Sequence, residues 1–148
     1  MAKLKRFKEK DRRLFTKGAN ELADFLLGKI LCHSIDGRIL RFMITETEAY
    51  GKDDPFCHSK NYKSGNGVEV QKMQGGTIYV HNRITNEPGS MFDIVSGNEG
   101  DGEGVLIRAA IDLNNFKLIE GPRLLGYAIR MIYENNKKDL LNSKNIWL

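Results

Sequence analysis

The chain of 148 residues has few of the features that mark specialised protein classes. There are two cysteines, Cys32 and Cys57, and no CxxC pair, which excludes a disulfide scaffold and a cysteine-based zinc module. No stretch approaches the roughly 20 apolar residues of a membrane helix. The basic N-terminus is not followed by an apolar segment, so no secretory signal is read there, and a cytoplasmic protein is expected. Walker, GxGxxG and GxSxG motifs are all missing, which removes support for nucleotide-cofactor and serine-hydrolase chemistry. The three histidines, His33, His58 and His81, have no second ligand at helical or hairpin spacing, so no metal site is expected. Neither repeats nor low-complexity tracts occur.

What is present is the composition of one globular domain, 41% hydrophobic and 28% charged, long enough to bury a core of its own. The net charge of +4 is unevenly placed. Residues 1–17 carry +6 and the remainder sums to −2. A basic N-terminal arm over 1–17 followed by a domain over 18–148 is the expected division. Such an arm suits a polyanion, because each cation near a phosphate releases counterions. A merely solubilising tail is the other reading of the same charges.

Apolar residues Leu22, Ala23, Phe25, Leu26 and Ile30 recur at helical spacing and predict a helix over 19–31. Asp36-Gly37 predicts a turn, and the alternation after it a strand over 38–50. Ten of the fifteen glycines fall between Gly51 and Gly104, so the centre should be rich in turns. Short strands are predicted at 77–82, 91–96 and 105–111, with a turn at 86–89 between the first two. Gly121-Pro122 opens a second helix whose apolar face is Leu124, Leu125, Ala128, Ile129 and Ile132. Helices at both ends with antiparallel strands between them make an α+β domain.

Two features do not fit a bland domain. Regular alternation puts Glu46, Glu48 and Tyr50 on the same strand face as Leu40, Phe42 and Ile44, where carboxylates are costly unless paired or solvated in a cleft. A bulge, or emergence of the strand into solvent, would instead turn the glutamates outward. Arg108 sits inside the apolar run Val105–Ala110 and wants a carboxylate partner, for which Glu46 or Glu48 is the candidate. A structural ion pair and a catalytic one are equally compatible with this pattern.

Several blocks in order resemble the 3-methyladenine (methylpurine) DNA glycosylases. They are Leu26–Leu31, Ile44–Tyr50 with its ETEAY stretch, Asp53-Asp54 and His58-Ser59. Further on, Gly76–Val80 is similar to that family's "GTLYVY" strand and Val105–Ala109 to its "VLLRA" strand. Gly121-Pro122, Asp139-Leu140 and Ile146–Leu148 resemble its "GP…DL…WL" stretch, so the likeness runs over 22–148. The resemblance implies a single mixed domain on a curved antiparallel sheet with peripheral helices. It also implies a monomeric, cofactor-free base-excision enzyme that flips a damaged, alkylated or deaminated purine out of double-stranded DNA and hydrolyses its N-glycosidic bond. By the match, Glu48 is the general base acting on water, and Arg108 helps place that water and the nucleotide backbone. Tyr50 and His58 match the two sides of a base sandwich, and His81 a further stacking aromatic. No lysine matches a catalytic position, which implies simple hydrolysis.

Departures from the family pattern also carry expectations. Asp93 falls where the family has asparagine, and its carboxylate would accept from a guanine amino group that asparagine repels. The hairpin that carries the family's tyrosine wedge has none here. Arg83, Ile84 and Met91 are the expected DNA contacts in it, with Ile84 or Met91 in place of the wedge. The linker 60–75 lacks the family's basic loop, and the chain stops at Leu148 where family members continue. A catalytically weak or inactive lesion-binding module, and a hydrolase of free nucleosides suited to the −2 body, are the alternatives.

Overall fold

The computed structural model of the chain describes residues 5–61, 64–81 and 89–148. Much of the basic segment is built into the body. A 3-10 turn, Glu9–Leu14, leads into Phe15, which is fully buried. The rings of Phe7, Phe15 and Phe25 meet edge-on with centroids 5.6 to 6.0 Å apart. Arg12 donates to both oxygens of Asp139, at 2.8 and 2.5 Å, and to the Gly75 carbonyl at 2.9 Å. Burial pushes the Asp139 carboxyl up, but hydrogen bonds from Arg12, Asn142 and Leu141 outweigh it and hold it below its usual range. Arg12 is therefore committed to an internal ion pair, whereas Lys5, Lys8, Lys10, Arg13 and Lys17 remain exposed.

Helix α1 (Ala19–Leu26) buries Leu22, Ala23 and Leu26, as its periodicity predicts. It stops five residues short of the predicted end. Leu27 is already extended, and Gly28 has φ +82, a conformation that glycine adopts without strain. Ile30 thus begins a strand, β1 (Ile30–Ile35), that helical spacing had concealed. Asp36 and Gly37 both have positive φ, forming the two-residue turn to β2 (Arg38–Tyr50), whose limits are those predicted.

After β2 come α2 (His58–Asn61), α3 (Asn66–Gln71), β3 (Ile78–Val80), β4 (Phe92–Ser96) and β5 (Glu103–Asp112). The chain continues through β6 (Lys117–Glu120), α4 (Pro122–Ala128) and β7 (Ile146–Trp147). Neither β6 nor β7 was predicted. Among the described residues the seven strands form one curled antiparallel sheet in the order β3-β4-β5-β2-β1-β7, with β6 paired to β5. Helix α4 opens at Gly121-Pro122 as expected, but Leu124 is exposed and only Leu125 and Ile129 of the predicted apolar face are fully buried. The helix ends at Ala128, so Ile132 lies beyond it.

One face of the sheet carries the main core. Phe42 and Ile44 of β2, Ile78 and Val80 of β3, Phe92 and Ile94 of β4, and Val105 and Ile107 of β5 pack there against α1 and α4. A smaller cluster, Val70, Tyr79 and Val95, joins α3 to the opposite face. No helix among the described residues is long and apolar enough to cross a membrane.

Candidate active site

A paired irregularity in β2 and β5 decides where the glutamates point. Ile44 opposes Ala110 and Thr47 opposes Ile107, but between them Glu46 opposes Ala109. One residue is therefore extra in β2, at Thr45, and one in β5, at Arg108. Each bulge advances the side-chain phase by one, so both strands exchange faces there, while the register beyond is unchanged. Before the bulge, Phe42 and Ile44 point into the core. After it, Thr47 donates to the Ala23 carbonyl of α1 at 3.0 Å and Ala49 packs on the core. Glu48 and Tyr50 consequently leave the face of Leu40, Phe42 and Ile44, which corrects the expectation from strict alternation. The bulge does turn them away from the core, and it turns them into a cleft.

The cleft, of about 460 Å³, lies on the far side of the sheet from the main core. It gathers Glu48, Tyr50, His58, His81, Met91, Asp93 and Arg108, seven of the nine residues singled out from the sequence. Arg83 and Ile84, and the turn expected before Gly89, lie outside the described residues. Met91 is half-buried in the cleft wall. Register sets the floor: Asp93, Leu106 and Glu48 lie abreast on β4, β5 and β2, with Tyr79 of β3 next in the row.

At one end, both oxygens of Glu48 are held. Tyr50 donates its hydroxyl to Oε1 at 2.7 Å, and Arg108 donates from Nη1 to Oε2 at 2.6 Å. Arg108 also reaches Glu46 from Nε at 3.2 Å, so it binds both of its candidate partners. The site is half open, with Arg108 38% and Glu48 41% exposed. Burial and the bond to Glu48 push the Tyr50 hydroxyl up to about 12, so it remains a donor at neutral pH. The bond to Glu48 likewise raises Arg108.

At the other end, aromatic rings and polar groups form a connected wall. The His81 ring stacks on Tyr79 with centroids 4.6 Å apart, and His58 lies 5.1 Å from His81. A hydrogen bond of 2.7 Å joins His58 Nδ1 to the Tyr79 hydroxyl. Burial, together with the neighbouring His81, lowers the pKa of His58 and favours its neutral form. Asp93, only 2% exposed, accepts from His81 Nε2 at 2.8 Å and from Gln71 Nε2 at 3.3 Å. Gln71 in turn accepts from the Ser59 amide at 2.8 Å, and the buried Cys57 thiol sits 3.5 Å from the same oxygen. These bonds tie α2, α3, β3 and β4 together.

Sequence reasoning did not find Gln71, and it gave Tyr79 no role beyond a strand position. The buried polar Gln71 is the last residue of a short helix that opens after Gly65, with no apolar periodicity to make it conspicuous. Phe56, Leu106 and Pro122 also line the cleft without having been singled out. Among the described residues no group of three or more His, Cys, Asp or Glu side chains could hold a metal ion. What the arrangement offers is a carboxylate fixed by two donors, able to take a proton from water, beside flat rings that could flank a planar heterocycle.

Curated proteins similar to the chain cover most of its length. A Clostridium botulinum (strain Alaska E43 / Type E3) protein, provisionally named a 3-methyladenine DNA glycosylase, is 38% identical over 89% of this chain and 64% of its own length. A Clostridium beijerinckii protein with the same provisional name is 38% identical over 76% of the chain and 55% of its own length. One from Clostridium tetani, again so named, is 32% identical over 93% of the chain and 77% of its own length. The chain thus spans just over half to about three-quarters of these relatives. Residues 13–148 match the sequence profile of the methylpurine-DNA glycosylases, and the chain belongs to that family.

Proposed function

We propose that this protein is a monofunctional DNA glycosylase that releases alkylated or deaminated purines from double-stranded DNA. A base inside the stack is out of reach, so the nucleotide must be extruded into the cleft. Glu48 takes a proton from water, the water oxygen bonds to the sugar C1′, and the N-glycosidic bond breaks with its electron pair leaving on the base. Positive charge develops on the sugar ring in the transition state, and the Glu48 carboxylate stabilises it. Arg108 holds that carboxylate at 2.6 Å and, in this reading, also contacts the nucleotide backbone. Tyr50, His58 and His81 supply the ring faces that favour an electron-poor, alkylated base. Exposed lysines of the N-terminal segment add sequence-independent phosphate contacts.

The observation that carries this reading is the Tyr50–Glu48–Arg108 constellation opening onto a cleft walled by His58 and His81. Its test is base release from duplexes containing 7-methylguanine, 3-methyladenine, 1,N6-ethenoadenine or hypoxanthine. Free base and an abasic site are expected from at least one of them. Folded protein that binds DNA and releases none of these bases overturns the reading, and lesion-selective binding without release would make it a recognition module.

A further inference from the structure

Among the described residues two carboxylates line the cleft, and the reaction proposed above uses only Glu48. The second, Asp93, is almost wholly buried, and a buried carboxylate is retained only where its bonds repay desolvation. Its protein partners are His81 and Gln71, which line the same cleft. Each Asp93 oxygen accepts one bond from them and keeps lone-pair capacity for another.

Register relates the two carboxylates. Glu48 and Asp93 both oppose Leu106, one from β2 and the other from β4. They stand two strand spacings apart, about 10 Å between backbones, on one face of the sheet. A purine lying over Leu106 with its sugar carbon at Glu48 turns the edge farthest from the sugar towards Asp93. That edge carries N1 and its neighbouring substituents.

An ionised carboxylate only accepts hydrogen bonds, so it discriminates among such edges. Guanine presents two adjacent donors, N1–H and the 2-amino group, which match the two oxygens in parallel. Hypoxanthine presents N1–H alone. Adenine sets an N1 lone pair beside its amino group, and that lone pair repels the second oxygen. We infer that Asp93 is the specificity-determining residue and that it directs the cleft to alkylated guanines, such as 7-methylguanine and 3-methylguanine. Methylation at those positions leaves both edge donors in place, and the positive charge that 7-methylation adds is attracted to the same carboxylate. Intact guanine shares the edge, so discrimination against it falls on bond breaking, where an uncharged base is the poorer leaving group. This inference rests on the glycosylase reading.

The test compares kcat/KM for release of 7-methylguanine, 3-methyladenine and hypoxanthine by the unaltered protein and by Asp93→Asn. The unaltered protein should favour 7-methylguanine over hypoxanthine by about tenfold or more; because the uncharged base is also the poorer leaving group, the bidentate contact is read from how far Asp93→Asn narrows that ratio. In Asp93→Asn, 7-methylguanine release should fall about tenfold while 3-methyladenine release holds or rises, because the amide can donate to the adenine N1 that the carboxylate repels; retained release of that base also shows that the variant folds. Equal rates on the three bases, or a preference for hypoxanthine, overturn the inference. Should no base be released, the catalytic reading fails first, and binding of the unaltered protein to the same three duplexes decides this one. Tightest binding to the guanine adduct, lost in Asp93→Asn, supports it; indifferent binding overturns it.

Discussion

Replacing Glu48 by glutamine removes a charge while keeping the volume and one acceptor oxygen. In the protein both carboxylate oxygens accept from donors, Tyr50 at 2.7 Å and Arg108 at 2.6 Å. Glutamine can satisfy only one of these and must point its amide hydrogens at the other. Arg108 keeps its longer contact to Glu46, and all three charged groups are partly solvated, so folding should be hardly affected. Catalysis should respond quite differently. A positioned general base contributes about 10²–10⁴-fold, equivalent to roughly 3–5 kcal/mol of barrier. Glu48→Gln should therefore lower single-turnover base release by that factor, with an unchanged melting temperature and near-normal affinity for lesion DNA. Glu46→Gln is the matched control, since Glu46 meets Arg108 at Nε while Glu48 takes Nη1, and it should keep most of the activity. Release by Glu48→Gln within about threefold of the unaltered rate, where a general base should contribute at least about a hundredfold, would refute the assignment. So would equal losses in the two variants.

Two further outcomes follow from packing. A Cβ at Gly67 would lie 2.9 Å from both His58 Cβ and the Tyr79 hydroxyl, so Gly67→Ala should prise the aromatic wall apart. Alanine suits the helical backbone at Gly67, but the overpacking should cost about 1–3 kcal/mol of stability while kcat/KM falls by about ten- to a hundredfold, and unaltered kinetics would contradict the role given to that wall. Phe15→Ala empties a fully buried site between Phe7 and Phe25 and should destabilise the fold by about 3–5 kcal/mol in urea titration. A loss below about 1 kcal/mol would show that the N-terminal segment is not part of the cooperative unit.

The strand over 38–50, the Asp36-Gly37 turn and the Gly121-Pro122 helix start were legible because each depends on local chemistry: side-chain period, left-handed backbone tolerance and a missing amide hydrogen. The end of α1 was less so. The apolar spacing of Leu26 and Ile30 satisfies a helix, yet β2 offers Ile30 a strand partner in Met43 and tertiary pairing prevails. Leu124 was misread for a related reason, since periodicity marks an apolar stripe but not how much of it a neighbour covers.

For the site, the amino-acid sequence by itself supplied the chemical groups, with Glu48, Tyr50, His58 and Arg108 singled out through the resemblance to the methylpurine-DNA glycosylases. Only the tertiary structure decided which way they face. The reversal at Thr45 and Arg108 is a property of two strands paired across some sixty positions of chain, and neither strand encodes it alone. Likewise, Glu48 and Asp93 become opposite ends of one cleft only because both pair with Leu106, and Gln71 gains its role only when α3 folds over β4. Side-chain chemistry is local to a residue, whereas direction and distance between residues are set by register, which the whole sheet must form to define.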